Sequence, residues 1–299
     1  MFAFSSHKAL EQQSLDAFAT PVSLSLPSTQ AGTISHGLIF ASPHSGRIYP
    51  PAFTRRTRLP LASLRRNEDA LMDELIAPLA PAGFPVIQAH FPRCFVDVNR
   101  APDELLPEWT ETDTKTTARA QAGLGVIPTV IAEHLPIYKT PLPKEVIEPR
   151  LNQLYHPYHN ALEDLMNSVR EHAGLVLLLD CHSMPGLSAS GRPRQDIVLG
   201  DRFGTTTHPD FMRLTEKVFK GAGYSVTRNY PYAGGYVTSK YGQPHNGAHV
   251  IQIEVNRQLY MNPATFKRKD GFERLQDCFL NLAETLRPFT AQDMSRAAE

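Results

Sequence analysis

The sequence has no net charge and few cysteines, and each shortage excludes a class of protein. Lysine plus arginine and aspartate plus glutamate number 30 each, so the formal net charge is +0. A dedicated nucleic-acid binder needs a surplus of cations to displace the counterions of phosphates, so we expect no nucleic-acid partner. The three cysteines match no zinc-knuckle spacing and suggest no disulfide framework. This cysteine usage indicates a reducing compartment, and we expect the cytoplasm.

Long apolar runs are also missing from the sequence. No stretch approaches the roughly 18 residues that a membrane-spanning helix needs. The amino-terminal MFAFSSHKALEQQ lacks a basic start followed by an apolar run. We therefore expect no signal peptide and no membrane partner. With 299 residues and 41% hydrophobic residues, the chain suits one large domain over residues 1–299, with a core over about 35–287.

Apolar runs with strand character alternate with amphipathic helical stretches, which favours an α/β fold built on a mostly parallel, mixed sheet flanked by helices. The predicted strands are Gly37–Ser42, Phe84–Phe91, Arg93–Val98, Leu175–Ser183, Asp196–Gly200, Tyr224–Asn229 and His249–Asn256. The predicted helices are Asn67–Ala77 with Asn67 as its N-cap, Lys144–His172 interrupted near Pro157, Pro209–Gly221 and Pro263–Leu286. Residues 99–140 read as a long irregular loop of the kind that is often functional, and the terminal AQDMSRAAE is expected to fray.

Polar side chains collect at the predicted carboxyl ends of strands, where α/β sheets bind their ligands. His44 follows the first predicted strand, and Asp180 and His182 end the most apolar one. Because side chains alternate along a strand, Asp180 and His182 share one face and Cys181 points to the other. A histidine at this rim is well placed to ligate a metal, with a nearby carboxylate fixing its tautomer. The alternative is a histidine that only satisfies local hydrogen bonds.

Glu254 is an unusual residue for its position in the strand IQIEVN. A central parallel strand is expected to be apolar on both faces, and glutamate is rarely buried unless it is paired or functional. This pattern favours a carboxylate that faces a cavity and takes a proton from water. The alternative is Glu254 paired with an arginine at a sheet edge.

The segment Asp97–Arg100 reads D-V-N-R and is predicted to end another strand. It offers the planar donor fork of Arg100 beside the amide of Asn99, a pair that suits a substrate carboxylate. Taken alone, the same four residues are also compatible with a solvated strand end that carries a salt bridge.

Six motifs in one order resemble the N-formylglutamate amidohydrolases. They are ASPHSGRIYP, FVDVNR, LLLDCHSMPG, DIVLGDRFGT, NYPYAGGYVTSKYG and HVIQIEVNRQLYM, spread over residues 39–261. The resemblance implies a three-layer sandwich similar in fold to the zinc carboxypeptidases and aspartoacylase. It also implies a metal-dependent amidohydrolase that converts N-formyl-L-glutamate to formate and L-glutamate, a reaction of histidine degradation.

The resemblance also implies roles for individual residues. His44 and His182 correspond to zinc ligands, and Glu254 corresponds to the general base. Asn99 and Arg100 correspond to the pair that binds the substrate carboxylate. The further candidates for binding the small acidic N-acyl amino acid are Arg257, Asn229 and Tyr236. Histidine and carboxylate ligands suit zinc, and they also suit iron, cobalt and manganese.

One position departs from the carboxypeptidase pattern H-x-x-E, because Arg47 stands where the glutamate ligand would be. We expect Asp69 to be the third ligand instead, since Asp69, Asp73 and Leu75 resemble a recurring pattern of the family. Glu68 is its competitor, and both acids could instead serve to favour a helix N-terminus.

Three other functions stay open at this point. The first is a related metal-dependent deacylase or peptidase that acts on another N-acyl amino acid or on a peptide. The second is a cysteine amidase that uses Cys181, although Cys181 and His182 would point to opposite faces of their strand and could not pair. The third is a non-catalytic binding protein, which the presence of both histidines and Glu254 argues against.

Overall fold

The structure is a computed structural model that describes residues 2–27, 35–110, 116–131, 135–188 and 190–291. Its strands are β1 (Val22–Ser25), β2 (Leu38–Ser42), β3 (Val86–Ala89), β4 (Val130–Ile131), β5 (Leu135–Pro136), β6 (Val176–Met184), β7 (Ile197–Gly200), β8 (Val226–Arg228) and β9 (Ala248–Asn256). Its α-helices are α1 (Phe2–Leu15), α2 (Pro51–Arg56), α3 (Leu61–Arg65), α4 (Met72–Ile76), α5 (Ala118–Gln121), α6 (Ile147–Arg150), α7 (His156–Ala173), α8 (Pro209–Gly221), α9 (Tyr236–Tyr241) and α10 (Gly271–Leu286).

Seven of these strands form one mixed sheet in the order β1-β3-β2-β6-β9-β7-β8. The pairs β3–β2, β2–β6, β6–β9 and β7–β8 are parallel, whereas β7 runs antiparallel to β9. Every residue of β6 and β9 is buried, as expected for central strands covered on both faces. Helix α4 packs on β2 and β6, and α8 packs on β7 and β8. The α/β class, with a mostly parallel mixed sheet flanked by helices, is therefore confirmed.

The chain divides into two compact units. Unit 1 comprises Met1–Ser23, His44–Ala70 and Ala89–Ala161, and unit 2 comprises Leu24–Pro43, Leu71–Gln88 and Leu162–Glu299. Most of the seven-stranded sheet belongs to unit 2, together with the amphipathic helices α8 and α10. These two helices meet through the edge-to-face rings of Phe219 and Phe279, whose centroids are 5.8 Å apart. The single domain expected over residues 1–299 stays a prediction.

Unit 1 is organised around a buried ion network. The fully buried Arg150 donates from Nε and Nη2 to the two carboxylate oxygens of Glu11, at 2.6 and 3.0 Å. Arg56 donates to the same carboxylate at 2.6 Å. Arg150 also lies 3.8 Å from the ring centroid of Phe95 and donates to its carbonyl oxygen at 3.1 Å. The network therefore ties α1, α2 and α6 to the segment that leads into D-V-N-R.

The predicted strand Arg93–Val98 is wrong, because these residues form turns. The backbone N–H groups of Phe95 and Val96 both donate to the carbonyl of Pro92, at 2.8 and 3.4 Å, which curls the chain. The apolar side chains are nevertheless fully buried, as in a core strand. Asp97 and Arg100 therefore lie in a buried loop rather than at the end of a strand.

The predicted N-cap at Asn67 is also wrong. Residues 66–71 form turns and bends, and α4 begins only at Met72. Leu71 immediately before the helix has a φ of +64°, a left-handed conformation that ends any continuous helix at this point. Glu68 and Asp69 therefore lie outside the helix, and the idea that they serve its N-terminus does not hold.

Two of the long predicted helices, Lys144–His172 and Pro263–Leu286, differ locally from the structure. The interruption near Pro157 takes the form of a π-helical stretch, Leu151–Tyr155, directly before α7, which accommodates a proline that has no backbone N–H to donate. Helix α10 begins at Gly271 rather than Pro263, because Asn262 caps a turn by accepting from the N–H of Ala264 at 2.9 Å.

Residues 99–140 contain mostly turns around α5 and the antiparallel pair β4–β5, as predicted for the described part of this segment. The tail expected to fray falls, except for Ala291, outside the described residues. No helix within the described ranges is both long enough and apolar enough to cross a bilayer.

Candidate active site

His44 is fully buried in the turn that follows β2. Its Nε2 lies 2.8 Å from Oδ1 of Asp97, and its Nδ1 lies 3.5 Å from Oδ2 of Asp69. A ring nitrogen that donates to a carboxylate carries the proton, so the neutral imidazole has its lone pair on Nδ1. The lone pair of His44 therefore points to the side where Asp69 lies.

The turn that carries His44 is fixed by its backbone. A Cβ at Gly46 would lie 2.2 Å from the carbonyl oxygen of Phe91, so only glycine fits this position. The backbone N–H of Asp69 donates to the carbonyl of His44 at 2.9 Å. These contacts hold the segments around His44 and Asp69 side by side.

Asp97 connects His44 to two arginines. Besides the contact with His44, its carboxylate accepts from Nη2 of Arg93 at 2.8 Å and from the backbone N–H of Asn99 at 2.9 Å, with Nη2 of Arg100 at 3.7 Å. Burial by itself would raise the pKa of Asp97, but Arg100, Arg93 and His44 hold it well below its ordinary value. The ionised carboxylate orients the imidazole, an arrangement that is typical of metal-binding histidines.

Sequence reasoning missed this role of Asp97. The D-V-N-R pattern predicts only a strand end at which Asn99 and Arg100 bind a substrate carboxylate. The sequence does carry one indication of this role. Asp97 is an acid between Arg93 and Arg100 in an otherwise apolar stretch, and a buried acid needs a polar or charged partner.

Glu68 and Asp69 face different partners in unit 1. The buried carboxylate of Glu68 forms an ion pair with Nε of Arg65 at 3.1 Å. Burial raises the pKa of Glu68. Asp69 is instead the acid whose carboxylate approaches His44, so the geometry favours Asp69 over Glu68 as the carboxylate ligand.

His182 and Glu254 are direct neighbours in the centre of unit 2. The register pairs Asp180 with Gln252 and His182 with Glu254 across the parallel strands β6 and β9. Paired residues project from the same face of a sheet, so all four side chains lie on one face. Nε2 of His182 lies 2.9 Å from Oδ2 of Asp180, which places the lone pair of this imidazole on Nδ1 as well. The prediction that Asp180 and His182 share a face is confirmed.

Cys181 points away from this face. Its thiol is buried, and Sγ donates to the carbonyl of Leu179 at 3.4 Å. Burial, together with the neighbouring Asp180, raises the pKa of Cys181 well above its ordinary value. Because the thiolate is the nucleophilic form, this environment argues against a cysteine amidase.

Glu254 is buried in a central strand, between β6 and β7. The alternative of an acid paired at a sheet edge is therefore wrong. Its Oε1 accepts from Nε2 of Gln252 at 2.9 Å, and Oε1 of Gln252 accepts from the backbone N–H of Gly235 at 2.8 Å. This hydrogen-bonded carboxylate lies on the face of the sheet that also carries His182.

Each unit contributes buried side chains that can ligate a metal. His44 and Asp69 lie in unit 1, where Nδ1 of the imidazole is 3.5 Å from Oδ2 of the carboxylate, and His182 lies in unit 2. Two imidazoles and one carboxylate are a donor set found in catalytic zinc sites. Each imidazole also has its second nitrogen on a carboxylate, as metal-binding histidines almost always do. The residues present therefore fit a divalent metal.

The predicted substrate-binding residues of D-V-N-R are engaged with the protein itself. Arg100 donates from Nε to the carbonyl of Leu124 at 3.0 Å and from Nη1 to the carbonyl of Asn99 at 2.7 Å. Its guanidinium is largely buried beside Asp97. A role of Asn99 and Arg100 in binding substrate stays a prediction.

The other predicted substrate-binding residues lie at three places in unit 2. Arg257 follows β9 and donates from Nε to Oγ of Ser183 at 2.9 Å. Tyr236 is the first residue of α9, next to the glycine pair. Asn229 holds a turn, since its amide donates to Asp201 at 2.7 Å and accepts from the backbone N–H of Asp201 at 3.0 Å and of Phe203 at 3.3 Å. Their contact with substrate stays a prediction.

Comparison with known proteins gives a consistent result. The family described as N-formylglutamate amidohydrolase matches residues 36–261. An N-formylglutamate deformylase of Pseudomonas putida is 30% identical over 224 residues, which cover 72% of this chain and 79% of that protein. A protein of the same name from Pseudomonas aeruginosa is 29% identical over 238 residues, covering 75% and 82%.

A solved structure agrees with these sequence matches. The crystal structure of N-formylglutamate amidohydrolase from Ralstonia eutropha is 33% identical, with a TM-score of 0.82, and the match covers 90% of this chain and 98% of that one. The family match extends over most of the chain and contains His44, Asp69, His182 and Glu254. The chain therefore belongs to the N-formylglutamate amidohydrolase family, whose members are hydrolases of amide bonds.

Proposed function

We propose that this protein is a metal-dependent amidohydrolase that hydrolyses N-formyl-L-glutamate to formate and L-glutamate. The observation that carries the proposal is the register of β6 and β9, which sets a candidate ligand, His182, beside a buried candidate base, Glu254. The names of the relatives support the choice of substrate. One water adds across the C–N bond, so the formyl carbon gains an oxygen and the nitrogen gains a proton.

We propose His44, Asp69 and His182 as the metal ligands, and zinc as the metal, because two imidazoles and one carboxylate are a donor set that suits it. When bound, the metal supplies a Lewis acid next to the formyl carbonyl. Asp97 and Asp180 hold the two imidazoles in the tautomer that presents Nδ1. These two carboxylates thus keep the ligand atoms fixed before any ion or substrate arrives.

Glu254 performs the proton transfers in this proposal. It accepts a proton from the attacking water and returns it to the leaving amine. Its place on a buried strand and the amide of Gln252, which donates to its Oε1 at 2.9 Å, together orient the carboxylate. The base and the ligand His182 share one face of the sheet, so both proton steps take place at a single location.

The two carboxylates of N-formyl-L-glutamate require cationic or donor partners. We assign Arg257 first, because it follows Glu254 by three positions at the carboxyl end of β9. Asn99 with Arg100 is the second assignment, and Asn229 and Tyr236 are the third.

Replacing Arg257 by methionine should raise KM more than it lowers kcat, since the contact acts on the substrate in the ground state and transition state alike.

The central experiment measures formate release by the purified chain before and after removal of metal by a chelator. We expect activity to disappear with the metal and to return with added Zn²⁺. Full activity after complete metal removal would reject the proposed chemistry. Metal content should be measured in the same samples, so that loss of the ion is separated from loss of the fold.

A substrate panel separates this proposal from its nearest alternative, a deacylase or peptidase of the same family type. Formyl, acetyl and succinyl derivatives of glutamate, and formyl derivatives of neutral amino acids, should be compared by kcat/KM. The formyl group with a glutamate side chain should give the highest value. A higher kcat/KM for another acyl group would favour the alternative, a deacylase or peptidase.

A location in the cytoplasm is a proposal based on the cysteine usage.

A further inference from the structure

A short chain of hydrogen bonds connects the glycine-rich loop to Glu254. The backbone N–H of Gly235 donates to Oε1 of Gln252 at 2.8 Å, and Nε2 of Gln252 donates to Oε1 of Glu254 at 2.9 Å. Gln252 and Glu254 are two positions apart on β9 and both are buried. The chain therefore runs from a loop backbone, through one amide, to the candidate base.

The amide of Gln252 has its orientation fixed at both ends. Because a backbone N–H can only donate, the atom that faces Gly235 must be the oxygen. The NH₂ group then faces Glu254 and presents a donor to its carboxylate. A buried amide costs free energy unless its hydrogen bonds are satisfied, and the central strand β9 otherwise calls for an apolar residue here. The glutamine is explained by its contacts rather than by packing.

The loop that provides the Gly235 N–H is itself anchored to the end of β7. A Cβ at Gly200 would lie 2.7 Å from the carbonyl carbon of Ala233, so the two backbones are in close contact. The backbone N–H of Arg202 donates to the carbonyl of Ala233 at 2.7 Å. These contacts fix residues 233–235, and with them the donor that holds Gln252.

We propose that Gln252 is a positioning residue that holds the carboxylate of Glu254 in the orientation needed for proton transfer. The proposal rests on the proposed function, because it assigns Gln252 to the same reaction. Glu254 has rotatable bonds of its own, and the amide donor of Gln252 at Oε1 limits the orientations that this carboxylate can adopt. Loss of an outer partner of this kind typically costs about 10- to 100-fold in activity.

Two substitutions test the role of the NH₂ group. In Gln252→Glu, a carboxylate still accepts from Gly235, but it also sets a second acid against Glu254. Because two adjacent carboxylates do not both ionise, the pair holds one proton between them and Glu254 is hindered as a base. In Gln252→Met, both hydrogen bonds are lost while the volume is kept. We expect kcat to fall by about 10- to 100-fold in each, with a change in KM of less than about threefold and with unchanged zinc content. Gln243→Met makes the same exchange at an exposed glutamine before β9 and should leave both constants unchanged.

A double-substitution cycle shows whether Gln252 acts through Glu254. In a Glu254→Gln background, measured at high enzyme concentration with sensitive detection of formate, Gln252→Met should lower the residual rate by less than about threefold. Equal losses in the two backgrounds would overturn the proposal, and so would normal kcat in Gln252→Glu. If Gln252→Met fails to fold, the cycle is run with Gln252→Glu, for which the same outcomes apply. Absence of formate release by the parent protein would instead reject the proposed function.

Discussion

Replacement of Asp97 by asparagine removes one negative charge from a buried position and keeps the shape of the side chain. In the parent protein Oδ1 contacts Nε2 of His44 at 2.8 Å, while Oδ2 accepts from Arg93 at 2.8 Å. If the asparagine turns its NH₂ group toward Arg93, two hydrogen-bond donors face each other, the NH₂ group and the guanidinium. One that turns its NH₂ toward His44 makes the imidazole accept at Nε2, which moves the ring proton to Nδ1.

Both orientations weaken the metal site. The first sets the NH₂ group against the half-buried guanidinium of Arg93, and the second blocks the nitrogen that lies 3.5 Å from Asp69. A hydrogen bond to a charged group is worth about 1.5–3 kcal/mol, which corresponds to about a 10- to 150-fold change in an equilibrium constant. This range agrees with the 10- to 100-fold cost that is typical, as an order of magnitude, for partners of metal-binding histidines. We therefore expect Asp97→Asn to bind Zn²⁺ about 10- to 100-fold more weakly.

The assay is competition for Zn²⁺ with a chromophoric chelator of known affinity, at constant pH and ionic strength. Asp103→Asn, an exposed change in the same segment, is the matched control and should bind like the parent protein. Thermal unfolding without metal separates loss of the fold from loss of affinity. Parent-like Zn²⁺ affinity in a folded Asp97→Asn protein would refute the inference that this carboxylate fixes the tautomer of His44.

Three further predictions concern the base, the thiol and the ion network. Glu254→Gln should lower kcat by more than about 100-fold and leave zinc content unchanged, whereas near-normal turnover would reject Glu254 as the base. Cys181→Ala should keep kcat/KM within about threefold, because a thiol with a strongly raised pKa on the opposite face takes no part in the reaction; loss of activity in a folded protein would reopen the cysteine mechanism. Glu11→Gln should lower the free energy of unfolding of the apoprotein by about 3 kcal/mol at neutral pH, because it breaks a buried pair with Arg150 and Arg56. Burial alone would raise the pKa of Glu11, but Arg150 and Arg56 hold it below its ordinary value. Its contribution is therefore complete above the pKa of the unfolded state and is lost as the pH falls through the lowered value. The difference between parent and variant in denaturant titrations should accordingly shrink on acidification, and a constant difference down to strongly acidic pH would contradict the assignment.

The sheet could be predicted from sequence because its strands have strong local signals. Strand β6 is a continuous apolar run, and prolines and glycines flank the neighbouring elements. Such local patterns predict strands without information on distant parts of the chain. Arg93–Val98 has equally apolar composition, yet it forms turns, because burial of a loop and burial of a strand require the same residue types. Similarly, nothing local to Leu71 indicates its left-handed backbone, which shortens α4.

The residues of the candidate site also differ in whether the sequence alone identifies them. Glu254 and His182 are recognisable because a charged or metal-binding side chain in an apolar strand breaks a strong local rule. The roles of Asp97 and Gln252 depend on which atoms lie within about 3 Å in space, and this information is absent from a linear pattern. The choice between Glu68 and Asp69 likewise depends on turns that no periodicity encodes.

The parallel register of β6 and β9 has a consequence for how these strands can change. Side chains alternate with a period of two, so inserting or deleting one residue before Glu254 would turn it to the opposite side of the sheet. The same slip would bring Ile253 or Val255 to the side now occupied by His182. A change in the length of β9 would therefore displace the candidate base and disrupt the core in a single event.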